Sequence, residues 1–299
     1  MRHTGFLLLS FVAAMFSCSS DDEQEQRTDG RKLRQLTIAE VPVTRATLAD
    51  NISALGAAWE AGDKATYFNV SSLRPNIIDL GTLIAHDDAV TSSFSGSVCC
   101  KAGDEVALFY PQQEVPITGT NRGKFIINLN GQDGKLETLA KKFHYVYGVA
   151  KVTSVTDNTA YAEINNMKSL LAVCKFTFTD GTNPIPVNTL TISFNAGSNG
   201  STLGYPLSAT LTPTEIEDVN SLKLTYPTWD TWDEQKLTIT LASETSSGVY
   251  VALFPSFDFS DYLHFSVTNS SGTYTGTAKA TLYAGKYYPV TLKLNQQQP

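Results

Sequence analysis

Basic clusters are missing from this 299-residue sequence. Its 22 Lys and Arg are outnumbered by 29 Asp and Glu, for a formal net charge of −7. No stripe of them is placed to neutralise phosphates, which excludes a nucleic-acid groove. No run of them would hold an anionic membrane surface either. Charged residues amount to only 17% of the chain, so the acidic balance is mainly a matter of solubility.

Catalytic signatures are absent as well. There is no G-x-S-x-G elbow, no P-loop and no H-E-x-x-H. The four histidines and four cysteines show no CxxC or Cys/His spacing of a zinc site. His86 beside Asp87 and Asp88 reads as a polar surface loop, and His144 and His264, each among aromatics, as strand or helix residues. "NLNGQDGKLE" reads as a β-turn rather than a calcium loop. Asp258 and Asp261 read as loop acids rather than a glycosidase pair. The sequence points to no enzyme and implies no cofactor.

Long apolar runs are lacking too. The one at the N-terminus, Gly5–Phe16, falls short of the ~20 residues of a membrane-spanning helix. It fits the hydrophobic region of a secretory signal peptide over residues 1–17. "AMFSC" ends it at Cys18, and a polar, acidic tail follows at once. That arrangement resembles a bacterial lipobox, whose cysteine becomes the lipidated first residue; "SSDDE" resembles an acidic surface-export signal. Several acyl chains on Cys18 would anchor the protein durably in an outer membrane, at about 0.8 kcal/mol per buried methylene. Residues 19–45 are polar and weakly patterned and read as a tether or propeptide. Cys99, Cys100 and Cys174 read as buried thiols, with a disulfide from Cys174 to either neighbour as the alternative.

What the sequence does have is alternation. Hydrophobic residues are 42% of the chain, and in "KFTFT", "TLTISF", "KLTITLAS" and "YPVTLKL" they recur with period two. Gly, Pro, Asn and Asp separate the runs, as in "FTDGTNPIP" and "YAGK". Helical patterning is thin, "KLETLAKKFHYVYG" being the best candidate for a short helix. An all-β protein follows. Its simplest division is two β-domains of roughly 120–135 residues, over 46–165 and 166–299, behind a leader of 18–45. Tyr226, Trp229 and Trp232 lie close together with interleaved aspartates in "YPTWDTWDEQ". Such rings stack on sugars when exposed and cover a core when not.

Several segments in order resemble one family: Thr44–Arg45, "AWEAGDKATYF", "SLLAVCKFTF", "PVNTLTISF", "GVYVALFPSFDF" and "TLYAGKYYPVTLKL". Together with the lipobox they look like fimbrillins, the subunits of type V pili. The resemblance implies two transthyretin-like β-sandwich domains in tandem and export to the cell surface as an outer-membrane lipoprotein. It further implies cleavage by an Arg-specific protease that removes the leader and the first strand. A strand from a neighbouring subunit then fills the opened groove. Arg45 matches the cleavage position, with Arg27, Arg31 and Arg34 as competitors. The partners implied are other pilus subunits, the membrane through its lipid anchor, and a receptor on a host or bacterial surface. The expected function is thus a structural or adhesive pilus subunit, in a stalk, tip, accessory or anchor position. The alternative is a surface lipoprotein that binds glycans through Tyr226, Trp229 and Trp232. Cys18→Ala is expected to abolish incorporation of labelled fatty acid in cells; continued labelling would refute lipidation at Cys18.

Overall fold

The computed structural model describes residues 29–42, 47–51, 54–72, 79–117, 123–195, 202–213, 224–227, 235–256 and 262–298. Met1–Arg31 and Lys32–Pro299 are separate units. In the first, Arg31 Nη1 donates to Asp29 Oδ2 at 2.5 Å. The second unit is built of β-strands. They are β1 (Lys32–Pro42), β2 (Thr47–Asn51), β3 (Ala54–Ala58), β4 (Lys64–Asn69), β5 (Leu80–Ala85), β6 (Thr91–Cys100), β7 (Glu105–Tyr110), β8 (Phe125–Asn128), β9 (Val146–Val155) and β10 (Thr159–Ser169). Then come β11 (Ala172–Thr179), β12 (Val187–Asn195), β13 (Thr202–Leu203), β14 (Ser208–Leu211), β15 (Leu237–Thr245), β16 (Val249–Leu253), β17 (Tyr262–Asn269), β18 (Gly272–Lys279), β19 (Tyr287–Lys293) and β20 (Asn295–Gln296). A short helical passage, Leu136–Phe143, precedes β9, where the sequence suggests one.

The all-β expectation holds, but the first half is not a two-sheet sandwich. Seven strands, in the order β1–β10–β9–β7–β4–β5–β6, close on themselves as a barrel. Every neighbouring pair is antiparallel except β1 with β10. Closure removes the two exposed edges that an open sheet would carry. β2 pairs with β3, and β8 with β14, as separate two-stranded sheets.

In the second half, β16–β11–β19 form one sheet and β13–β12–β17–β18–β20 another, with β15 also on β12. Alternation sets their facing sides: Phe176 and Phe178 of β11 are buried, as are Leu190, Ile192 and Phe194 of β12. Phe176 meets Phe265 of β17 edge-on at 5.0 Å, so the sheets lie face to face. Edge strand β16 is capped by a side chain. Gln132 Oε1 accepts from Ala252 N at 2.7 Å, and its Nε2 donates to Ala252 O at 3.0 Å.

Period two also joins the halves. β4 and β7 are buried on both faces, as strands covered on two sides must be. Ala65, Tyr67, Val106, Leu108 and Tyr110 point into the barrel. Phe68, Ala107 and Phe109 point outward into a second core with Phe125, Leu171, Val173 and Phe176. That core is continuous with the second half, and β10 runs across residue 165. Cys99, Cys100 and Cys174 are free, buried thiols, and burial pushes the Cys174 thiol up from its usual range.

A second correction concerns residues 19–45. Lys32–Pro42 is no tether but a strand of the barrel. Leu36, Ile38 and Val41 are fully buried inside it. The spacing from Ile38 to Val41 hides the strand from a period-two reading, because a bulge interrupts the register with β6 there.

Gly96 of β6 sits opposite Leu36. A Cβ there would clash with the Thr82 carbonyl oxygen and lie 2.9 Å from Leu83 Cδ2. Gly96→Ala is therefore expected to destabilise the barrel by about 1–3 kcal/mol, the usual range for overpacking. Thermal unfolding followed by circular dichroism measures this; an unchanged midpoint would contradict the close approach of β5 and β6.

Candidate functional site

The distinctive place in this fold is the slot that β1 fills. One wall is β6, paired antiparallel from Lys32↔Cys100 to Pro42↔Thr91. The other is β10, paired parallel from Gln35↔Thr159 to Ala39↔Glu163. Without β1 the barrel has no other closure, since β6 and β10 do not pair with each other.

Side chains fix β1 at both ends. Arg34 is 6% exposed although charged. Its Nε donates to Thr156 O at 2.6 Å, and Nη1 donates to Cys100 O and, at 3.3 Å, to Lys32 O. Thr156 and Cys100 belong to opposite walls, so the guanidinium ties the β9–β10 turn to the end of β6. Among the described residues no carboxylate pairs with it. At the other end Trp59 Nε1 donates to Val41 O at 3.1 Å. The buried indole stands edge-on to Phe94 at 4.9 Å and Tyr110 at 5.2 Å. Between these ends, Leu36, Ile38 and Val41 each contribute about 1.5–3 kcal/mol by burial.

The contacts of β1 are confined to the barrel. Its outward residues Lys32, Leu33, Gln35, Ala39 and Glu40 are exposed. None of its side chains enters the core shared with the second half. It ends at Pro42, and β2 starts at Thr47, so Arg45 lies between two strands. Glu40, in the bulge, has φ of 51°, a left-handed conformation that costs a non-glycine residue about 1–2 kcal/mol.

The other residues singled out in the sequence are scattered. Cys18, Arg45, Trp229 and Trp232 lie outside the described residues, as do Arg27, Asp258 and Asp261. Tyr226 is half-buried, its ring edge-on to Phe254 at 5.2 Å, and burial raises its hydroxyl. His86 is exposed, with Nε2 2.6 Å from Ser95 Oγ. His144 is buried, Nε2 3.2 Å from Ser169 Oγ. His264 on β17 is held below its usual range by burial and by nearby Lys236. Among the described residues no three His, Cys, Asp or Glu gather to hold a metal ion.

One open cleft of about 460 Å³ lies beside Glu60, Asp63, Lys64, Tyr110, Gln112 and Lys141. Burial raises the Asp63 carboxyl, to which Tyr110 Oη donates at 3.4 Å. Its rim mixes both signs of charge.

Sequence reasoning missed β1, Trp59 as its latch, and Arg34 as a buried tie. The usable signal was Leu36-x-Ile38 following a basic residue at the same parity.

The sequence matches no protein-family model and no curated protein. Among solved structures the chain is similar to a candidate cell adhesion protein from Bacteroides ovatus. The TM-score is 0.50 at 16% identity, over 90% of this chain and 96% of that one. It is similar also to a candidate cell adhesion protein from Parabacteroides distasonis, with a TM-score of 0.41 at 8% identity over 88% and 90%. A shaft pilin from Lactobacillus rhamnosus has a TM-score of 0.33 at 11% identity over 90% and 100%. The first likeness shows a shared fold; the other two carry no argument.

Glu40→Gly removes the left-handed strain without removing a buried contact. It is expected to stabilise the uncut protein by about 0.5–1 kcal/mol. Chemical denaturation checks this; a lower midpoint would show that Glu40 holds β1 by a contact of its own.

Proposed function

We propose that this chain is a structural or adhesive subunit of a surface pilus, assembled by exchange of β1. The observation that carries the reading is that one strand alone closes the barrel. Cleavage at Arg45, which follows Pro42 and precedes Thr47 in the chain, severs β1 from the remaining chain. Arg34 is a poor competitor because it is buried within a paired strand. Once β1 departs, β6 and β10 become facing open edges about two strand spacings, or roughly 10 Å, apart. A single incoming strand fits that gap. Its main chain supplies hydrogen bonds to both walls, and its alternate side chains fill the places of Leu36 and Ile38.

The fold shared with the Bacteroides ovatus candidate adhesion protein, over 90% of this chain, supports the same reading. Lipidation at Cys18 completes it: anchoring at the outer membrane precedes cleavage, and the strand leaves with its lipid. The mature subunit then starts at Ala46. The role is assembly and adhesion rather than catalysis.

Arg45→Ala tests the proposal directly. In cells the variant is expected to stay full length, membrane-bound and monomeric. The unchanged protein is expected to yield sheared, denaturant-resistant oligomers beginning at Ala46. Normal oligomers with normal N-termini from Arg45→Ala would remove Arg45 from the mechanism. Oligomers that still contain Lys32–Pro42 would refute exchange of β1.

A further inference from the structure

We infer that the slot reads a positive charge: its occupant is a strand of a different subunit bearing Arg or Lys two residues before its first apolar anchor. This rests on the strand-exchange reading and names the partner which that reading leaves open. Three observations lead to it.

Arg34, Leu36 and Ile38 alternate along β1, and all three side chains face the barrel interior. The first is a cation where the other two are aliphatic. Its guanidinium is satisfied by main-chain carbonyls of the slot, Thr156 O and Cys100 O, besides Lys32 O of its own strand. Those two wall carbonyls stay behind when β1 leaves. Bonds between a charged donor and a neutral acceptor are stronger than those between neutral groups. A strand with an aliphatic residue at this place loses the charged tie between the walls. An acidic residue there would meet carbonyl oxygen with like charge.

The third observation decides between a second copy and another subunit. Lys286, Tyr288 and Val290 in and before β19 repeat the order cation, apolar, apolar at the same spacing. Pro289 then stands at the place of Thr37. Thr37 is paired on both sides, with Ser95 of β6 and Tyr161 of β10. Proline has no N–H, and a strand bonded on both edges does not accommodate it. In its own sheet β19 avoids the problem by lying at an edge, bonded to β11 alone. So the chain's own C-terminal strand does not suit a slot of this kind. The fitting occupant has an ordinary residue at the place of Thr37.

The test uses the full chain cut after Arg45, with fluorescein-labelled peptides and anisotropy as the readout. The peptide Lys32–Pro42 is expected to bind. Arg34→Met in that peptide is expected to weaken binding about tenfold or more, the scale of a charge-assisted bond. Arg34→Lys keeps the charge but not the fork, and should bind more tightly than Arg34→Met and more weakly than the native peptide. The peptide Lys286–Leu294 should also bind at least about tenfold more weakly than Lys32–Pro42. Equal affinity of the native and Arg34→Met peptides would overturn the inference while leaving strand exchange intact. Equally tight binding of Lys286–Leu294 would make a second copy the occupant and overturn the choice of partner. If the cut chain keeps its own Lys32–Pro42 and takes up no peptide, the exchange reading fails and this inference with it.

Discussion

The closure of the barrel depends on one strand being bonded on both sides. β1 pairs antiparallel with β6 and parallel with β10, and no other contact brings those two strands together. Each wall of the slot would be an open edge by itself, prone to pair with any extended chain. Filling it brings together two hydrogen-bond ladders, three buried aliphatic side chains, the Arg34 tie and the Trp59 bond to Val41. These terms hold the strand firmly, yet all of them are local to the slot. Strand β1 is therefore necessary for closure, and its contacts are confined to the slot.

The opposite side of the barrel is held by contacts that do not involve β1. β4, β7 and β9 send alternate side chains inward and outward, and the outward set belongs to the core of the second half. Phe109 stacks on Phe125 at 4.3 Å, and Tyr147 approaches Phe125 edge-on at 6.4 Å. Those contacts do not involve β1. A fold so divided has one wall anchored in the second core and one wall closed by β1 alone. The strained Glu40 lies in β1.

The sequence makes the second half more legible than the first. In β11, β12 and β15 one face is buried and the other open, so the period of two survives intact in "KFTFT", "TLTISF" and "KLTITLAS". β4 and β7 are buried on both faces, which turns alternation into a continuous apolar run such as "VALFY". β1 was illegible for a different reason. Its bulge sets Val41 three residues after Ile38, Leu33 is exposed, and Arg34 is buried. All three depart from the binary pattern at once. Nor does local pattern encode a parallel pairing between strands as distant as β1 and β10. The turn at "NGQDGK" was readable, whereas Gln132 as a cap on β16 was not, since that contact joins residues far apart in the chain.

Hydrogen exchange of the uncut chain and of the chain cut after Arg45, compared strand by strand, tests the central claim most directly. The account predicts faster exchange confined to β6 and β10 after the cut, with β12 and β17 as protected as before. Equal loss of protection across all strands would mean that β1 supports the whole fold. No loss in β6 and β10 would mean that the covalent tie at Arg45 has no part in keeping the slot filled. Either result would contradict a barrel closed by one exchangeable strand.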